Sequence, residues 1–521
     1  GKITPTVGVS ATSGDIDIQS TGAMFILEDI VTTTGDIRLS TGESAGPGEQ
    51  LVLANKAKIL SNSGDIFLSA GDDVDLHMQT RVATAGQLFI ASDVGDLDAQ
   101  GTFIKLDGEI ATQFVDMVAG DDDDKLIINE TVANQFIFSA IALNSHTNAA
   151  FQASGRSPCN VGMHFEGGLG NDSMEIYFTL PQDVAYFSDT NEPNSGVINV
   201  LNNYTMSFDG LAPLHLSGAT GSLLIDATST PGTTFLNLDD NAISDDGFMV
   251  VTADGGVEQT TFGGFTNLTL RGGDGTETFN VLGFDTTKPL GLGGPLAHVY
   301  LDGSNTQGTD TAGDVFNVRV LPGNIGLHIF GGLGNDLINV SSDAPTNLGS
   351  IDPIEGPLYV DGQDGSDTLV VNDKGDPTDD VATLTSSTLT GMGLASGISY
   401  ANIDQLDVFF GLGRDELFLM LPLPSPVQPP LPSLIRIQGG PHDQDRLTVI
   451  GTNNPDVADE AIVGTFGSSS PIQIQEVEQL QMFGYAGPDR FINNTAVPSF
   501  IVGGDGPDTL QGGSSIDSIF G

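Results

Sequence analysis

The sequence predicts an all-β protein, a right-handed parallel β-helix or β-solenoid made of short strands and Gly-Asp turns. Three observations predict it. A turn of the form G-(G)-x-G-x-D followed by a bulky apolar residue recurs seven times. Apolar and polar residues alternate around these turns, the period of a strand that buries one face. Helical signals are missing, because no long stretch has a 3.6-residue period and 68 Gly and 26 Pro interrupt the 521 residues. A string of β-sandwich modules is the alternative, favoured if the 138-residue interval from Glu277 to Asp415 and the 74-residue interval to Asp489 mark domains.

Residues 1–112 read as β-helical coils. Ser13-Gly14-Asp15-Ile16, Thr34-Gly35-Asp36-Ile37, Ser63-Gly64-Asp65-Ile66 and the degenerate Val94-Gly95-Asp96-Leu97 place their aspartates 21, 29 and 31 residues apart, intervals that suit one coil with variable loops. Alternation after each turn, as in Ile16/Ile18 and Ile66/Leu68, turns one set of side chains inward.

Residues 113–420 carry a longer unit of strand, Gly-Asp turn and strand. Leu268 through Val281 shows it, with Leu268, Leu270, Phe279 and Val281 as inward positions. Residues 421–433 are Pro-rich and read as an extended loop or linker. Residues 434–521 return to β-rich repeats and end in two tandem nonapeptides, whose aspartates Asp508 and Asp517 lie nine residues apart. The chain starts without Met and stops within a repeat, so it reads as a segment of a longer protein.

Charge narrows the partners. With 16 Lys+Arg against 68 Asp+Glu, the formal net charge is −52, which argues against nucleic acid and anionic membrane surfaces and in favour of cations. The acidic residues collect at Gly turns, where bound divalent metal would neutralise them. The one cysteine, Cys159, forms no disulfide framework and reads as an inert small residue. No apolar run reaches the length of a membrane helix, and no transmembrane segment is expected.

The seven turns end at Asp172, Asp336, Asp367, Asp415, Asp489, Asp508 and Asp517. A glycine-rich turn closing on aspartate and feeding a short strand resembles the hemolysin-type (RTX-like) calcium-binding repeats, most closely over residues 503–521. The N-terminal coils are similar to those of filamentous-haemagglutinin-like β-helical adhesins. The first resemblance implies Ca2+, held by carboxylates and by carbonyls of loops that glycines allow to curl. The implied metal residues are Asp172, Asp336, Asp367, Asp415, Asp489, Gly504, Gly506, Asp508, Gly513 and Asp517. In the hemolysin-type β-roll one calcium lies between successive turns, so only Asp508 and Asp517 meet that spacing. Weaker copies of the turn end at Asp124, Glu277, Asp314 and Asp445. A second reading of all these turns is purely structural, with carboxylates accepting bonds from nearby backbone N–H groups.

Catalytic signatures are absent. Gly42-Glu43-Ser44-Ala45-Gly46 matches the serine-esterase elbow, but Pro47 and Gly48 follow where a helix is needed. Seven scattered histidines and 16 basic residues form no constellation for a polysaccharide lyase or hydrolase. The expected function is that of a non-enzymatic structural subunit of a bacterial extracellular assembly, secreted or on the cell surface. A surface layer, filament or adhesin fits, calcium-stabilised and self-associating, with glycans or neighbouring cells as further partners. The alternative is a carbohydrate-active enzyme or glycan-binding module on a β-helix.

Overall fold

The computed structural model describes residues 8–42, 48–54, 56–95, 101–130, 136–138, 161–189, 195–201, 203–218, 220–228, 234–243, 245–254, 257–285, 295–305, 308–422, 429–441, 444–454 and 459–521. Ser44 of the esterase-like pentapeptide, Asp96, Cys159, His146, His442 and residues 423–428 of the Pro-rich stretch lie outside them. Among the described residues every regular element is a β-strand, and none is a helix long and apolar enough to cross a membrane. Two compact units share the chain: residues 1–231, 240–269 and 285–296 form the first, and residues 232–239, 270–284 and 297–521 form the second.

The first unit begins as a parallel β-solenoid with three rows of strands. One row stacks Val9–Ala11, Ile30–Thr32, Lys58–Ser61, Arg81–Thr84, Glu109–Thr112 and Phe136–Phe138. The next stacks Ile16–Ser20, Ile37–Thr41, Ile66–Ser69, Gln87–Ala91 and Phe114–Val118. The third stacks Met24–Ile26, Leu51–Leu53, Val74–Leu76, Phe103–Leu106 and Lys125–Glu130. The chain visits the rows in turn, so each circuit is one coil. Equivalent apolar residues lie above one another in register, as in the buried files Ile16, Ile37, Ile66, Leu88 and Met24, Leu51, Val74, Ile104, Leu126. Contact between like residues in successive coils explains why short strands suffice.

The S/T-G-D-I turns at Asp15, Asp36 and Asp65 occupy one corner of this unit, as their spacing predicts. The corner continues at Gly86-Gln87, where Leu88 is the residue in register with Ile66. Among the described residues after 138 two rows carry the coil, with Val161–Glu166 stacking on Tyr204–Asp209 and Asp172–Phe178 on Leu211–Ser217. An antiparallel meander of Val184–Ser188, Gly196–Val200 and Tyr204–Asp209 widens one row before parallel stacking resumes on Ser222–Asp226.

The second unit is a two-row parallel solenoid. His298–Asp302, Gly326–Gly332, Leu358–Gln363 and Leu394–Ala401 stack in one row. Glu277–Val281, Val315–Val318, Leu337–Val340, Thr368–Asn372, Gln405–Phe409 and Leu434–Gln438 stack in the other. A meander of Val381–Leu384, Thr388–Gly391 and Leu394–Ala401 again widens one row. Leu268, Leu270, Phe279 and Val281 are all buried, and Phe279 stacks on Phe316 of the next coil with ring centroids 4.9 Å apart. The repeats are therefore coils and not sandwich domains, since the turns at Asp336 and Asp367 open strands that pair directly.

Candidate metal centres at the Gly-Asp turns

A parallel strand leaves its first N–H without a partner unless something outside the ladder accepts it. In the second unit the turn carboxylates perform that task across coils. Glu277 donates its N–H to Oδ1 of Asp314, Asp314 donates to Asp336, Asp336 to Asp367, and Asp367 to Oδ2 of Asp404, over 2.8, 2.8, 2.9 and 3.2 Å. A second column runs from Asp380 through Asp415 and Asp445 to Glu478 at 2.8, 2.8 and 3.0 Å. A third joins Asp459, Asp489 and Asp508 at 3.4 and 3.1 Å. In the first unit the N–H of Thr102 and then of Asp124 reach Asp124 and Asp172 at 2.6 and 2.8 Å. The N-terminal coils use the same device with the opposite polarity: Asp36 donates to Asp15, and Asp65 to Asp36, each at 2.9 Å.

One oxygen of each turn aspartate is thereby used. The other, Oδ2, is buried without a hydrogen-bond partner at Asp172, Asp336, Asp367, Asp415, Asp489 and Asp508. The first glycine of the motif exists for this oxygen. A Cβ at Gly167, Gly331, Gly362, Gly484 or Gly503 would lie 2.0–2.5 Å from the Oδ2 of the aspartate five residues on. The second glycine answers a different need, a left-handed backbone, with φ of 113° at Gly332 and 104° at Gly504. Gln363 and Tyr485 adopt the same region at 68° and 71°.

Burial raises five of these carboxyls, and neighbouring carboxylates add to it. Asp172 and Asp336 are pushed up to about 7, Asp415 and Asp489 to about 6, and Asp367 upward. A buried oxygen without a donor is costly as an anion, so each turn calls for a proton or a cation.

At two places a third carboxylate enters the column. Asp310 and Asp376 take the position that the second glycine holds elsewhere, four residues before Asp314 and Asp380. Ligand oxygens of Glu277, Asp310 and Asp314 all lie within 4.8 Å of one another, and so do those of Asp373, Asp376 and Asp380. All six residues are buried. Glu277 is fully buried, and although Gly273 and Asp314 come near its carboxylate, neither of its oxygens receives a hydrogen bond of good geometry. Oδ2 of Asp310, Asp314, Asp373 and Asp380 likewise has no donor. Oδ1 of Asp310 accepts the Ala312 N–H at 3.0 Å, Oδ1 of Asp376 accepts that of Thr378 at 3.0 Å, and Oδ1 of Asp373 accepts that of Ile351 at 2.9 Å. Burial, followed by mutual repulsion, raises Glu277, Asp314, Asp373 and Asp380. In the first triad all three carboxylates have an unsatisfied oxygen; in the second Asp373 and Asp380 do, while Oδ2 of Asp376 accepts the Thr378 hydroxyl at 2.6 Å. Each triad is an all-oxygen donor set, the chemistry of a hard divalent cation. These acidic clusters fit a metal ion.

The sequence-predicted residues fall into two groups. Asp336 and Asp367 adjoin the first triad through the column, and Asp415 adjoins the second. Among the described residues, neither Asp172 nor Asp489 belongs to a group of three carboxylates with oxygens within 4.8 Å of one another. Asp508 and Asp517 are not brought together. Asp508 opens Thr509–Gln511 in one row and bonds to Asp489, whereas Asp517 opens Ser518–Phe520 in the other and accepts the Ser499 N–H at 3.0 Å. A nine-residue step is half a coil here, and the residues that stack are Asp489 and Asp508. Gly504 and Gly506 line the turn before Asp508 in the left-handed region, and Gly513 packs against the carbonyl of Thr495. Asp310 and Asp376 stand where the motif has glycine, so the motif does not mark them; the D-x-x-x-D spacing within the repeat register was the available signal. No protein-family model, curated protein or solved structure matches this chain.

Proposed function

We propose that this chain is a calcium-braced structural segment of a bacterial extracellular assembly, with its principal ions at the two acidic triads. The observation that supports this reading is the buried carboxylate column, whose spare oxygens converge with a third carboxylate at Asp310 and again at Asp376. Calcium supplies the positive charge that lets these groups stay ionised in the core. The chain's own residues do the rest: Glu277, Asp310 and Asp314 hold one ion across a coil boundary, and Asp373, Asp376 and Asp380 hold the second at the entry to a meander. The likeness of the turns to hemolysin-type repeats and the excess of 68 acidic over 16 basic residues point the same way. Extracellular calcium modules bind at roughly 10⁻⁴–10⁻³ M, and an ion at tenfold over its Kd adds about 1.4 kcal/mol per site. Parallel coils that stack by backbone ladders and like side chains support a role in self-association.

The test is a calcium titration followed by circular dichroism and electron microscopy, with and without chelator. Chelation is expected to lower the melting temperature and change the assembly state, and D310N and D376N are each expected to reduce the calcium bound. Melting and assembly that ignore chelation would sink the calcium mechanism.

A further inference from the structure

We propose that His298 and His328 form a second kind of metal site, a two-histidine clip between adjacent coils for a borderline transition-metal dication of the zinc type. The two residues lie on neighbouring strands of one row, His298 opposite Gly326 and His328 opposite Tyr300. The His328 ring is sandwiched between Tyr300 and Tyr359, with centroids 4.7 and 4.6 Å away and interplanar angles of 16° and 10°. Both faces are thus fixed, and only the ring edge is left to act. On that edge Nε2 is buried and has no hydrogen-bond partner.

The neighbour of that edge is a second imidazole. The His298 and His328 centroids are 5.6 Å apart at an interplanar angle of 50°. Two imidazoles on one tetrahedral zinc, with Zn–N of about 2.0–2.1 Å, have centroids about 5.2 Å apart. A small rotation of His298 closes the difference. Gly326 leaves the necessary space: a Cβ there would stand 3.0 Å from Nδ1 of His298 and 3.7 Å from Nε2 of His328, so both nitrogens border one small gap. Burial, together with the nearby His298, lowers the pKa of His328, which keeps its lone pair free at neutral pH. An aromatic stack alone accounts for neither the orphaned nitrogen nor the second imidazole facing it. Imidazole suits zinc, copper and nickel, whereas calcium takes oxygen, so this site and the carboxylate triads select different ions.

The probe is zinc chloride titrated calorimetrically into the calcium-saturated 521-residue chain. Wild type is expected to bind zinc with an affinity that falls about tenfold or more in H298A and in H328F, the second of which keeps the ring stack. Both variants are expected to keep the calcium response of the wild type, which separates this proposal from the calcium reading. Diethylpyrocarbonate labelling of the wild type, read by mass spectrometry, needs no variant: zinc is expected to protect His298 and His328 together. Zinc affinity unchanged in both variants, or equal labelling of the two histidines with and without zinc, overturns the site.

Discussion

The carboxyl of Asp336 sits between two demands. Its Oδ1 accepts the N–H of Asp314 at 2.8 Å, while its Oδ2 is pressed against Gly331 with no donor. Burial, more than the neighbouring acids, pushes its pKa up to about 7, and burial does the same for Asp172. The consequence for stability follows from linkage. A carboxyl whose pKa is higher folded than unfolded binds its proton more tightly in the native state, so its contribution is complete below the unfolded value and is lost as pH rises through the folded one. In chelator, stability is therefore expected to fall between about pH 4 and pH 7, opposite in sign to the usual acid denaturation by salt-bridged carboxylates. Thermal melts across that range check it, and a melting temperature that rises or stays level with pH would contradict the buried, donor-free Oδ2. Calcium is expected to flatten the slope, because an ion replaces the proton.

At the scale of the strand and turn, the coil corners were legible because a turn followed by an inward residue must recur wherever the chain re-enters the core. Ile16, Ile37 and Ile66 mark such re-entries and stack in register. The row from Val9–Ala11 to Phe136–Phe138 was not legible, since its strands follow no Gly-Asp turn. Ile30 is buried and Asp29 precedes it, but no glycine marks the corner. The triads were hidden for a related reason, aspartate standing where the motif has glycine. A further repeat places an asparagine between two apolar residues in Leu236-Asn237-Leu238, Phe279-Asn280-Val281, Phe316-Asn317-Val318 and Ile338-Asn339-Val340. These amides form a file, with Asn280 donating to Asn237, Asn317 to Asn280, Asn339 to Asn317 and Asn347 to Asn339 at 2.7–3.0 Å. Asn317 and Asn339 are 2% exposed. Asn317→Ala removes two links and leaves a buried donor on Asn339 without its acceptor, so it is expected to cost about 1–3 kcal/mol. Urea denaturation measures it, and a change within about 0.5 kcal/mol, the range of an ordinary surface substitution, would show that the file carries no stability.

For the whole molecule, two mechanisms by which calcium would stabilise a chain of net charge −52 must be separated. One is diffuse: any salt screens the repulsion among exposed carboxylates, and the Debye length is already about 10 Å at 0.1 M. The other is local, and it rests on carboxylates that bulk salt does not reach. Glu277 is 0% exposed, Asp314 1% and Asp373 0%, so sodium chloride leaves their repulsion nearly intact while a bound dication cancels it. The separation is experimental. In chelator, rising sodium chloride is expected to raise the melting temperature to a plateau as the exposed charges are screened. Calcium added at that plateau is expected to raise it further, and by less in a D310N/D376N variant. If calcium adds nothing at the plateau, the triads do not hold it, and the stabilisation belongs to the charge of the chain as a whole.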